Sequence, residues 1–275
     1  MIGLTVSAAV FLIGRGFLFS SAYESRKNGI FLPVIMYHSI YDGTPQEYIV
    51  TPQQFDDDLR WLSENGYKSV TADELTDYVC GAGILPPKPV MITFDDGFYN
   101  NLSVALPILE KYDMSAVVSV VGAYTDNDAQ ADPHAERYSY LTWDDISELQ
   151  ASGRVEIGCH TYDMHSVTGK RKGCAKLPSE SEEEYKELLQ SDITLAQNRI
   201  AEHTGKRPIV FAYPFGAESP ESVPVLRENG FIITLLCREA PNYITRKKEC
   251  LYDLFRYNRS GFYTTQEFME KVMRQ

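Results

Sequence analysis

Val90-Met91-Ile92-Thr93-Phe94-Asp95-Asp96-Gly97 carries an apolar, β-forming run straight into two carboxylates and a glycine. Such a run reads as a buried strand whose C-terminal end presents acids at the rim of a sheet or barrel. Successive residues of an extended chain point to opposite faces, so Asp95 and Asp96 can share one site only if the backbone turns there. Gly97 permits that turn. Taken alone, two acids before a glycine fit a helix N-cap or a tight turn equally well. A second cluster shifts the balance: His160-Thr161-Tyr162-Asp163-Met164-His165 follows another apolar strand, Val155-Glu156-Ile157-Gly158-Cys159. Two carboxylates and two imidazoles, each at a strand end, are the ingredients of a hydrolytic metal site.

Strand and helix alternate on both sides of this stretch. Leu32 to Ile40 reads as a strand with His38 near its end. Thr51 caps a helix with Pro52 at its first position and Phe55, Leu59 and Leu62 on its apolar side, stopped by Gly66. Tyr67 to Val70 is strand-like, Thr71 caps a helix to about Val79, and Gly81 to Pro89 is a connection. Beyond the carboxylates come a helix over about 102–112, a strand over 115–121, a polar insertion over 124–140 and a helix from Thr142 to Gly153. The His160 strand follows, then a long helix over 179–203 whose acidic start suits the helix macrodipole. A strand over 208–213 ends in Tyr213-Pro214-Phe215-Gly216. A helix to about Glu228, a strand over 231–236, a strand-like piece over 251–257 and a helix from about Thr265 complete the chain. This alternation implies an α/β protein with a parallel sheet, and about seven units with their chemistry at strand ends point to a (β/α) barrel. An open doubly wound sheet is the alternative, weakened as a nucleotide binder by the absence of any glycine-rich phosphate loop.

At 275 residues the chain has room for one large domain or two small ones. A net charge of −12 argues against a nucleic-acid partner and against attachment to anionic lipid, but not against a bound cation. Five scattered cysteines without CxxC spacing define neither a zinc site nor a disulfide framework. Ile2 to Ile13 is apolar apart from Thr5 and Ser7, and Arg15 interrupts it. It reads as a signal peptide or signal anchor, with a docking helix of the folded domain as the alternative. Residues 1–29 are accordingly expected to be a signal or anchor segment with its linker, and residues 30–275 the catalytic domain. That places the protein outside the cytoplasm, secreted or tethered to a membrane.

Thr93-Phe94-Asp95-Asp96-Gly97, His160 and His165 with their spacing, and Tyr213-Pro214-Phe215-Gly216 occur in that order. Together they resemble the polysaccharide deacetylases of the NodB-homology family, carbohydrate esterase family four. The resemblance covers roughly residues 32 to 262. It implies a distorted (β/α) barrel of about seven parallel strands, a divalent metal, most often zinc, and removal of N- or O-acetyl groups from polysaccharides. Carried over by position, Asp96, His160 and His165 would be the metal ligands and Asp95 the general base. The Phe215 backbone N–H, within the Tyr213-Pro214-Phe215 motif, would help hold the oxyanion. A two-histidine, one-carboxylate set with open positions suits that chemistry.

Three departures from the family pattern matter. Ala212 stands where most members have the arginine that steadies the base, leaving Arg256 or Arg259 as its replacement. The histidine spacing is one residue longer than in many members. No histidine follows His203, so the usual C-terminal general acid is missing. His38, within Met36-Tyr37-His38, is the natural substitute, as in the subgroup resembling poly-N-acetylglucosamine deacetylases. Tyr37, Tyr99, Tyr162 and Tyr213 flank these motifs and are the aromatic candidates for a glycan groove, core packing being the competing role. His134 and His203 receive no role.

The expected activity is metal-dependent removal of N-acetyl groups from N-acetylhexosamine units of a cell-wall or extracellular polysaccharide, such as an N-acetylglucosamine polymer or peptidoglycan. The rivals are hydrolysis of O-acetyl esters on a glycan such as xylan, an inactive glycan-binding module, and a cytosolic small-amide hydrolase.

Overall fold

A computed structural model describes residues 28–127 and 132–274. Nearly all of the 1–29 segment lies outside the described residues. Among those described, no helix is long and apolar enough to cross a membrane.

Eight strands make one parallel sheet: β1 (Val34–Tyr37), β2 (Lys68–Ser69), β3 (Pro89–Phe94), β4 (Ala116–Val120), β5 (Val155–Cys159), β6 (Val210–Ala212), β7 (Ile233–Leu235) and β8 (Tyr257–Asn258). Seven of them follow one path, β7-β6-β5-β4-β3-β1-β8, while β2 pairs with the start of β3. The two ends of the path meet where Leu254 bridges Leu235 in parallel, the Leu254 N–H donating to the Thr234 carbonyl at 2.8 Å. The sheet therefore curls round on itself into the expected distorted barrel and is not an open, doubly wound sheet. All six residues of β3 are buried, as a strand covered on both faces requires.

The helices α1 (Pro52–Glu64), α2 (Ala72–Val79), α3 (Leu106–Lys111), α4 (Trp143–Ala151), α5 (Glu182–Thr204), α6 (Ser222–Glu228) and α7 (Thr265–Val272) surround the sheet. Capping boxes at Thr51, Thr71, Thr142, Ser181 and Thr264 fix five of their starts. Each is worth about 1 kcal/mol. The long helix α5 begins after Ser181, not Ser179: Ser181 Oγ accepts from the Glu184 N–H, and the Glu184 carboxylate accepts in turn from the Ser181 N–H.

Two sequence expectations need correction. The helix expected over 102–112 opens as a π-helical turn, Asn101–Ala105, before α3 begins. The strand expected over 251–257 is interrupted: Lys248–Leu251 forms a 3₁₀ turn and Asp253 adopts φ 59°, so regular pairing is confined to Tyr257–Asn258. A left-handed residue cannot sit inside a continuous strand.

Candidate functional site

A cavity of about 1120 Å³ opens over the C-terminal strand ends, the face where barrel enzymes place their chemistry. His38 enters it from β1, Asp95 and Asp96 from β3, His160 and His165 from β5, Phe215 from β6, Cys237 from β7 and Asn258 from β8.

The turn that lets both carboxylates share this cavity begins one residue earlier than expected. Asp96 itself adopts φ 71°, as does Gly97. Aspartate is among the few non-glycine residues that tolerate this conformation. A Cβ at Gly97 would sit 2.9 Å from Val120 Cγ1, so that position is closed to other residues by space as well as by φ. Thr161, beside His160, and Phe215 are also left-handed, at φ 73° and 57°. Three strand ends of the site thus hold the backbone in a sparsely populated region, as functional sites do.

Asp96 and the two histidines form a candidate metal centre. One ligand atom from each lies within 4.8 Å of the others. The Asp96 Oδ1 atom is 3.6 Å from His160 Nε2 and 3.2 Å from His165 Nε2, yet neither contact has hydrogen-bond geometry, and this buried oxygen has no donor among the described residues. Both rings turn the same nitrogen inwards. His160 Nδ1 lies 2.7 Å from the Ala212 carbonyl, which can only accept, so Nδ1 carries the hydrogen and Nε2 the lone pair. The Tyr124 hydroxyl donates to the His165 carbonyl and lies 3.0 Å from His165 Nδ1, fixing that ring in the same sense. Outer partners of this kind orient metal-ligating histidines. Burial pushes His160 below its ordinary range, keeping it neutral as a ligand must be. Burial would lower His165 too, but Asp96 outweighs it and raises that ring. A buried carboxylate oxygen without a donor, facing two imidazole lone pairs, fits a divalent cation.

Asp95 is 1% exposed and does not belong to this ligand cluster. Arg256 Nη1 and Nη2 donate to its two oxygens at 2.7 Å each. Burial alone would raise the Asp95 carboxyl, but the Arg256 guanidinium overcomes it and holds the group far below the usual carboxylate range. The arginine is itself held by the Leu236 carbonyl at 2.9 Å. The structure brings Arg256, and not Arg259, to Asp95. Arg259 is a correction: it pairs with Asp58 at 2.6 Å, away from the cavity.

His38 lines the cavity, its Nδ1 without a partner among the described residues. Burial lowers its pKa while Asp95 and Asp96 pull the other way. Its strand end is tied down by Asn101, whose side chain donates to the His38 carbonyl at 3.0 Å, and by Asn100, which accepts from the Ile40 N–H at 2.9 Å. These buried asparagines went unnoticed in the sequence. Two adjacent asparagines at a helix start, where the side chain competes with the backbone, were the available signal. Asp192 was also missed: from α5 it accepts from the Tyr162 and Asp163 N–H groups at 2.7 and 2.8 Å and pins the loop between the two histidines.

Of the motif at 213–215, only Phe215 reaches the cavity, 38% exposed. The Tyr213 side chain is fully buried, its hydroxyl 2.8 Å from Ser222 Oγ, and Pro214 is buried beside it. Tyr37, Tyr99 and Tyr162 do not line the cavity either; its aromatic walls are Tyr48, Phe98, Phe215, Phe262 and Tyr263.

The polysaccharide deacetylase family matches residues 82–233, more than half of the chain. A poly-beta-1,6-N-acetyl-D-glucosamine N-deacetylase of Escherichia coli K12 is 26% identical over 217 residues, covering 72% of this chain and 32% of that protein. The chain thus spans about a third of that relative's length. A solved de-N-acetylase from Aggregatibacter actinomycetemcomitans superposes with a TM-score of 0.71 at 27% identity, covering 86% of this chain and 99% of the other. IcaB from Ammonifex degensii superposes with a TM-score of 0.69 at 28% identity, covering 83% and 92%.

Proposed function

Because the chain belongs to the polysaccharide deacetylase family, we propose that it is a metal-dependent hydrolase. Its substrate on this reading is an N-acetylhexosamine polymer of the cell wall or extracellular matrix, from which it removes N-acetyl groups. The observation that carries the reading is the pairing, in one cavity, of an ionised, arginine-held Asp95 with the separate donor set of Asp96, His160 and His165.

Asp96, His160 and His165 would hold the divalent cation, zinc being well suited to two imidazoles and one carboxylate. When bound, such a cation supplies Lewis-acid polarisation of an acyl oxygen and makes water more acidic. Asp95 accepts the proton of the attacking water. Each of its oxygens spends one acceptor site on Arg256, and a carboxylate has about four, so acceptor capacity remains on the cavity side. Arg256 keeps Asp95 ionised and fixes its plane, which sets where that proton goes. His38 delivers a proton to the departing nitrogen. The Phe215 N–H, at the left-handed turn after β6, is the proposed donor to the developing oxyanion.

We further take residues 30–275 as the catalytic domain and the apolar run near the N-terminus as a signal or membrane anchor, with the enzyme working outside the cytoplasm. N-terminal sequencing of secreted and membrane fractions tests that placement. Function is tested by acetate release from N-acetylglucosamine oligomers, peptidoglycan and acetylxylan, with added zinc and with chelator. Zinc-dependent release from an amide substrate is expected. Release from the ester alone would make the protein an O-acetyl esterase, and none from any substrate despite bound metal would favour a glycan-binding module.

A further inference from the structure

The loop after β8, residues 260–263, combines an immobilised backbone with side chains left in water. Arg259 Nη1 donates to the Ser260 and Tyr263 carbonyls at 2.6 and 3.0 Å. Gln54 Nε2 donates to the Gly261 carbonyl at 2.9 Å, and the Gly261 N–H donates to the Gln46 carbonyl at 2.8 Å. A Cβ on Gly261 would stand 2.2 Å from the Ile49 carbonyl, so only glycine allows the loop to close on the segment that carries Tyr48. On this fixed backbone Phe262 is 71% exposed and Tyr263 42%.

Both residues line the cavity that holds the metal-ligand cluster, and both also line a second cavity of about 620 Å³. The two spaces meet across this aromatic ridge. The second is walled by Trp61 and by the polar side chains of Asp57, Arg60, Glu64 and Gln266. Flat apolar faces with hydroxyl-bonding groups around them are what a pyranose ring offers a complement to: its C–H face stacks and its rim donates and accepts. Neither cavity alone accounts for an exposed phenylalanine on an immobilised loop; a chain lying across both does.

We propose that Phe262 and Tyr263 form a distal subsite for a sugar unit remote from the reacting one, and that the glycan runs from the metal-ligand cluster over this ridge towards Trp61. The inference rests on the deacetylase reading for the identity of the chain and deepens it: the substrate is a polymer, gripped away from the chemistry. A pre-formed platform lowers the ordering cost of binding a flexible chain.

The test compares N-acetylglucosamine disaccharide and hexasaccharide as substrates of the full chain and of Phe262→Ala, with Phe262→Tyr as the conservative variant. In the wild type the hexasaccharide KM is expected to be lower than that of the disaccharide by about tenfold, about 1.4 kcal/mol of distal contact. In Phe262→Ala the hexasaccharide KM rises until that ratio approaches one, and Phe262→Tyr restores it. Binding is read independently as a hexasaccharide-induced change in tryptophan fluorescence, absent in Trp61→Phe. Acetate release without length dependence, or a ratio unmoved by Phe262→Ala, overturns the subsite and leaves the deacetylase reading intact. No acetate release, with a fluorescence change that still depends on Phe262, overturns that reading and supports the subsite. Silence in both measurements overturns both.

Discussion

Two buried arginine–carboxylate pairs, whose arginines lie three residues apart on the chain, are built almost alike. Arg256 grips Asp95 through both terminal nitrogens, while Arg259 grips Asp58 through Nε and Nη2 at 2.6 and 3.1 Å. All four side chains are essentially inaccessible. The difference lies in what the carboxylates have left over. Asp58 also accepts from Tyr37 at 3.0 Å and Thr265 at 2.6 Å, which fills its capacity. Among the described residues Asp95 has no such additional donors, and it faces the cavity. A saturated buried pair is architecture; an unsaturated one beside a candidate metal site is available for chemistry. Breaking either pair leaves a buried charge uncompensated, so stability alone cannot tell them apart.

The strongest way to break this comparison is to neutralise each carboxylate in turn. Asp95→Asn and Asp58→Asn should each lose about 3–5 kcal/mol of stability, seen as lower melting temperatures. Their activities should diverge: Asp95→Asn loses about 10²- to 10⁴-fold in kcat for acetate release, whereas folded Asp58→Asn retains a kcat close to wild type. Equal losses of kcat would collapse the distinction.

A smaller effect separates the arginines. Lysine keeps the charge but not the planar fork. Arg256→Lys lets the Asp95 plane wander and should cost about 10²-fold in kcat, the scale of a small misplacement of a reacting group. It also weakens the partner that holds the Asp95 carboxyl down, so the acid limb of the pH–rate profile should move to higher pH. The sign for stability follows from linkage. A depressed carboxyl contributes stability that is present above its unfolded value of about 3.9 and is lost as pH falls towards the folded value. Arg256→Lys should therefore narrow the gap in acid stability between wild type and variant as pH drops below that range. Arg259→Lys should spare the pH–rate profile and raise KM for long oligomers through the loosened 260–263 loop.

Much of the scaffold was legible because its signals are local. β-forming runs, glycine stops and the serine or threonine capping boxes each declare themselves within a few residues. The gathering of Asp95, Asp96, His160 and His165 in one cavity was legible for a different reason: two acids before a glycine fit a turn equally well alone, and a second cluster at another strand end, with the family resemblance, pointed to one site. The choice between Arg256 and Arg259 was not legible. An odd separation along an extended segment sends two side chains to opposite faces, so one arginine faces the barrel interior and the other leaves it. Which is which depends on register against β1, where Tyr257 lies opposite Ile35, and that is a long-range fact. The aromatic walls failed similarly. Tyr37 and Tyr213 adjoin the motifs but point into the core, while Tyr48 and Phe262 come from loops whose path no periodicity announces.

The subtlest test uses the place where the two regions come closest, the adjacent residues Tyr37 and His38. They point to opposite faces of β1: the Tyr37 hydroxyl donates to Asp58, whereas His38 faces the cavity with Asp95. Burial and the neighbouring Asp58 push the Tyr37 phenol well above its ordinary range, so it stays a donor across the accessible pH range. Tyr37→Phe removes one of the donors on Asp58 and leaves Arg259 and Thr265 in place. A hydrogen bond to a charged group is worth about 1.5–3 kcal/mol, and the partners that remain put this loss at the lower end. Thermal unfolding should therefore register a modest drop, and kcat on the disaccharide should hold, because the partners of the Tyr37 side chain, Asp58, Phe55 and Phe94, do not line the cavity. A fall in kcat comparable to that of Arg256→Lys would mean that the Asp58 cluster sets the position of His38 through β1. The saturated pair would then belong to the catalytic machinery as much as the open one.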